Sequence, residues 1–154
     1  MRLKIQVRFK FLFARFAIGA LFFIVTLLQL FSFPGQFNYS RQQGDMGLFS
    51  QVALTLFFGA WMFAAQWGLV SLWKILTYME GGKFFTSDCM AWIDRIVAAL
   101  KYSAFVPVVL IGLIAPQADD PGIMVALLGL LFFTSSLAVL AVLLRDQILS
   151  RLVD

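Results

Sequence analysis

Long apolar runs separated by short polar ones set the first reading of this chain. Four stretches, about 16–33, 50–73, 96–115 and 123–144, are dominated by Leu, Phe, Val, Ile and Ala, and only the third contains a charge, Lys101. A helix of about 20 apolar residues, rising ~1.5 Å per residue, crosses the hydrocarbon core of a bilayer. The pattern predicts an all-α integral membrane protein, a four-transmembrane-helix bundle forming a single membrane domain over residues 1–154. Ahead of the first run, Leu3, Ile5, Val7, Phe9 and Phe11 alternate with Lys4, Gln6, Arg8 and Lys10. Period two is the strand signature, but a lone strand leaves its backbone unpaired. The segment is read as interfacial, its cations meeting lipid headgroups, with an edge strand or a docking helix as the alternatives.

Within the runs a few positions break the apolar monotony. Ala60, Ala64 and Gly68 fall at i, i+4 and i+8, so they share a helix face on which another backbone can approach closely. Gln66 lies in the inner half of the same span and is expected to bond another helix of the chain, with a ligand contact as the alternative. Thr134, Ser135 and Ser136 sit mid-span in the fourth run and can bond back to carbonyls or across to a neighbour. Pro107 is expected to kink the third helix, and Pro34-Gly35 to end the first. The stretches 35–49 and 116–122 are then loops, and the tail from Arg145 extends the last helix. No small-x-small cleavage site follows the first run, which is therefore expected to be a retained anchor.

The longest polar-bearing interruption, residues 74–95, connects the second and third runs. Gly81-Gly82 offers a break after a helix, and Thr86-Ser87-Asp88 can cap the next one. From there Cys89, Trp92, Ile93, Ile96 and Val97 recur at helical spacing, with Asp88, Asp94 and Arg95 among them. This predicts an amphipathic turn running into the third span.

Composition narrows the function classes. The 154 residues are 62% hydrophobic and 13% charged, and mean hydropathy is +0.91. A soluble domain usually has about half apolar and about a quarter charged residues. Histidine is absent and there is one cysteine, Cys89. Catalysis by an imidazole base, zinc sites built on Cys and His, and histidine-ligated haem are excluded within one chain. Gly81-Gly82-Lys83 is not a phosphate-binding loop, because Phe84 stands where Ser or Thr is needed. Asp88 and Asp94 are six apart and do not share a helix face as an acid/base pair would. Asp119-Asp120 supplies too few oxygens for calcium. Cys89, at the interface beside a polar cap, is read as a small apolar residue, with a lipidation or redox position as the alternative. No catalytic group, cofactor or metal is expected, and no direct nucleic-acid binding.

The net charge of +4 matters less than its placement. Five Lys/Arg lie in residues 1–15, four in the connector region (Lys74, Lys83, Arg95, Lys101) and two in the tail, against Arg41 alone in the other loops. Eleven against one predicts both termini and the connector on the cytoplasmic side of the membrane.

The run L-W-K-I-L-T-Y-M-E-G-G-K-F-F-T-S followed by A-W-I-D-R-I-V-A resembles the DUF2975 family of small bacterial membrane proteins. Gly82-Lys83-Phe84-Phe85-Thr86 matches its G-x-[hydrophobic]-F-[ST] connector motif, and Trp92-Ile93-Asp94 is similar to its actinobacterial branch. The tail here is shorter than the acidic ending of many members. The resemblance implies four spans and no particular activity. Because many members are encoded beside a small helix-turn-helix regulator, it also implies a regulatory partnership. The reading is a non-enzymatic membrane protein acting through protein–protein contacts. Lys83, Phe84, Phe85, Thr86, Trp92, Asp94 and Arg95 are its candidate interaction residues, and Ala60, Ala64, Gly68 and Gln66 its helix-packing residues. The expected partners are the lipid bilayer and a membrane or cytoplasmic protein, with a homo-oligomer left open. The alternatives are an accessory subunit of a larger respiratory or export complex, and a small transporter or channel.

Overall fold

The computed structural model describes residues 2–44, 47–114 and 121–153, with side-chain surroundings for 8–44, 47–113, 121–122 and 124–150. Five α-helices account for nearly all of them: α1 Arg2–Leu27, α2 Phe33–Gln42, α3 Leu48–Glu80, α4 Ser87–Ile114 and α5 Pro121–Val153. No strand occurs among the described residues. A π-helical segment, Leu28–Ser32, joins α1 to α2 without a break, so four helical rods result. Each is long and apolar enough to cross a membrane. The alternating residues before Phe11 lie in α1. A helix satisfies its own backbone bonds, which a strand without a neighbour does not.

Pro34-Gly35 does not end the first helix, contrary to the sequence expectation; the helix continues to Gln42. The π segment supplies the reason. The Phe33 N–H bonds to the Leu28 carbonyl, a wider turn than the α-helix makes. Pro34 then falls at the start of α2, where its missing N–H is not needed and its ring has room. α2 stops about two turns later, with Gly44 at φ +86° and its N–H on the Arg41 carbonyl. Residues 35–42 of the expected loop are thus helical. The acidic pair Asp119-Asp120 lies outside the described residues.

Among the described residues the rods pack mainly in chain order: α1 on α3, α3 on α4, and α4 on α5. α2 folds against the start of α3 through an aromatic cluster. Phe58 stacks on Phe33 at 5.0 Å between ring centroids and meets Phe37 at 5.6 Å and Trp61 at 5.9 Å. α4 is the most enclosed rod, with Val97, Val106, Pro107 and Leu110 buried. It runs unbroken through Pro107. α1 and α3 instead leave large apolar side chains exposed along their lengths, Phe13, Phe16, Phe23 and Phe63 among them. The arrangement is a row, with α4 covered on two sides.

Two amides fasten α1 to α3. Gln66 Nε2 donates to Thr26 Oγ1 at 2.9 Å, and Thr26 donates onward to the Phe22 carbonyl at 2.8 Å. Gln29, in the π segment, donates to the Gly59 carbonyl at 3.1 Å. Hydrogen bonds between membrane helices contribute about 0.6 kcal/mol each, up to ~2. Gly68 faces Ala99 on α4, where an added Cβ would sit 3.7 Å from the alanine methyl.

Candidate functional site

The end of the molecule carrying the α3–α4 turn gathers most of its described chemistry. α3 terminates in a Schellman motif. Gly82 takes φ +68°, its N–H bonds the Met79 carbonyl, and the Lys83 N–H bonds the Tyr78 carbonyl at 2.8 Å. Three residues later Thr86 caps α4, accepting the Cys89 N–H at 3.4 Å on its hydroxyl and the Met90 N–H at 3.1 Å on its carbonyl. The turn between is fixed at both ends. Phe84 points inward and packs with Ile75, Tyr78 and Ile148 on the buried trio Cys89, Met90 and Ile93. Phe85 meets Phe84 edge-on at 5.2 Å yet is 54% exposed, and Lys83 beside it is exposed.

Around this turn, cations are held by aromatics and acids on neighbouring rods. Arg15 of α1 pairs with Glu80 at 2.7 Å and lies 5.7 Å from the Trp73 ring centre. Arg145 of α5 pairs with Asp94 of α4, and with Asp146 at 3.1 Å. Arg95 stands 4.1 Å over Trp92 and 5.8 Å from Trp67, while Lys74 approaches Trp92 from α3 at 5.7 Å. Cation–π contacts of this kind contribute roughly 0.5–2 kcal/mol, more as water is excluded. Partly exposed ion pairs contribute about 0–1 kcal/mol. These contacts align the lower halves of all four rods.

The structure divides the sequence-predicted interaction residues. Phe84, Thr86, Trp92 and Asp94 serve the fold itself, and Lys83 and Phe85 face outward. Arg95 stands between two tryptophans on the edge of a groove. The small-residue face also divides. Gly68 is packed, whereas Ala60 and Ala64 line that groove, about 960 Å³ in volume, between α3 and α4. Gln66 is committed to Thr26. Ser71 and Thr134 are buried and bond back to the Trp67 and Leu130 carbonyls, each at 2.8 Å. Sequence reasoning missed Met90 in the core cluster, the Phe58–Trp61 cluster, and the pairing of Arg15 with Glu80. The tryptophans signalled an interface, but not which cation each would meet.

No group of three or more metal-ligating side chains occurs among the described residues. Four long apolar helices, with the charges concentrated toward one end, define the class of multi-pass α-helical membrane proteins. Residues 36–150 match a family described as "Protein of unknown function (DUF2975)", and the chain belongs to that family. The match takes in α3, α4, nearly all of α5 and every candidate interaction and helix-packing residue; most of the first rod precedes it. No curated protein and no solved structure matches the chain.

Proposed function

We propose that the protein is a non-enzymatic component of the bacterial cytoplasmic membrane that acts by binding another protein through its α3–α4 turn. Both termini and that turn would face the cytoplasm. The observation that carries this reading is the fixed display of Phe85 beside Lys83. A large apolar side chain exposed on a turn pinned by a Schellman motif and a threonine cap loses little conformational freedom on docking. The seated Phe84 holds the pair in place. A partner with an apolar notch rimmed by acidic groups fits this chemistry, and a small soluble regulator is the kind expected.

The test is purification of the tagged full chain at native expression in gentle detergent, with Phe85→Ala and Lys83→Glu alongside. Loss of a stoichiometric companion in both variants, with the chain still folded, supports the reading. A companion retained by both overturns it.

A second reading, an accessory subunit of a larger membrane assembly, is favoured by the row arrangement, which leaves α1 and α3 apolar surfaces open to other helices. It predicts comigration with a large complex in native gels, insensitive to Phe85. Homo-oligomers would form through the same open faces. A transporter or channel reading has less support, since Gln66, its best intramembrane polar candidate, already bonds Thr26.

A further inference from the structure

The groove between α3 and α4 has an apolar floor and one cationic end. Ala60, Ala64, Ala98 and Ala99 keep it deep, and it is open to the outside along its length. It reaches from Thr55 to Trp67 along α3, about 18 Å at helical rise. One leaflet of a bilayer has a hydrocarbon depth of about 15 Å. At the Trp67 end sits Arg95, its guanidinium held between two indole rings and without a carboxylate partner among the described residues. The pattern recurs on a smaller scale. The 330 Å³ groove between α1 and α3 has Lys74 on its lining, and the 480 Å³ groove between α4 and α5 has Lys101.

We infer that the α3–α4 groove holds an anionic glycerophospholipid, its acyl chain along the alanine floor and its phosphate on Arg95. A guanidinium binds phosphate through paired N–H donors, and stacking on Trp92 orients the fork beforehand. Charge balance favours this occupant over a second copy of the chain. Eight described cations lie toward this end (Arg8, Lys10, Arg15, Lys74, Lys83, Arg95, Lys101, Arg145) against four acids, Glu80, Asp88, Asp94 and Asp146. Three of those acids already pair with Arg15 or Arg145, and Asp88 lies two helical turns from Arg95. Among the described residues a second copy offers no free carboxylate at the depth of Arg95, and an anionic headgroup does. This site is separate from the turn that displays Phe85, so either assignment can fail alone.

The test is native mass spectrometry of the full chain released from nanodiscs of equal phosphatidylglycerol and phosphatidylcholine. A phosphatidylglycerol adduct retained in preference to phosphatidylcholine is expected. Arg95→Gln should lower its retention about fivefold, the equivalent of ~1 kcal/mol for one basic contact. Ala64→Phe and Ala60→Leu, which fill the groove, should lower it as well, and Lys83→Gln, outside the groove, should not. Unchanged helical circular dichroism identifies folded variants, and either filler suffices. Equal retention of the two lipids, retention unaffected by both folded fillers, or a lipid-free dimer would each overturn the inference.

Discussion

Gln66 and Gln29 carry polar amides into an apolar span, and both reach a partner on the facing helix. Replacing Gln66 with Leu should cost about 1 kcal/mol of stability against denaturing detergent, and Thr26→Val a similar amount. The double variant should cost less than the sum, since both changes remove one shared bond; an unfolding titration of the four proteins reads this directly. That Gln66 would bond within the chain was legible, because an unpaired amide in lipid is costly. Its partner was not, because Thr26 lies 40 positions away and only the α1–α3 register brings them together. Cys89 is a second residue-scale case. It is fully buried beneath Phe84 and Ile148. A maleimide should label it slowly in the folded protein and rapidly once sodium dodecyl sulfate opens the packing; equal rates would contradict the burial.

At the scale of elements, glycines mark where rods meet and where they stop. Gly68→Ala adds a methyl at ordinary contact distance from Ala99 and should be tolerated, whereas Gly68→Leu must push α3 from α4 and should cost about 1–3 kcal/mol. Gly82→Ala fails for a different reason, since its φ of +68° costs an alanine about 1–2 kcal/mol. Both are measured by thermal unfolding in mild detergent. The helix after Gly82 was legible from Thr86-Ser87-Asp88, since a capping hydroxyl before an amphipathic run is a local signal. The fate of Pro34 was not. Proline normally stops a helix, and what accommodates this one is a π turn, flanked by tertiary contacts of Gln29 with Gly59 and of Phe33 with Phe58 that no local pattern announces. The alternating start of the chain misleads similarly, because period two says nothing about whether a neighbouring strand exists.

For the whole molecule, run length and apolar content made the four rods readable, but not their order in space. A row with α4 enclosed follows from which faces interlock, and the weakly amphipathic spans do not encode that in any local pattern. The asymmetry of charge survives into three dimensions, with Arg15, Lys74, Lys83, Arg95 and Arg145 all toward the α3–α4 turn. It predicts sidedness. In a Cys89→Ala background, a membrane-impermeant thiol reagent should label Gln43→Cys from outside intact inner-membrane preparations and Lys83→Cys only after permeabilisation. The account's central claim is that the displayed turn meets another protein. The most direct measurement places a photo-crosslinking amino acid at Phe85 in living cells, with Phe132, an exposed residue in the α5 span, as the comparison. The account predicts a discrete protein adduct from position 85 and none of that mass from position 132. No adduct at 85, with discrete adducts only from 132, would contradict it and move the contact surface to the apolar helix faces.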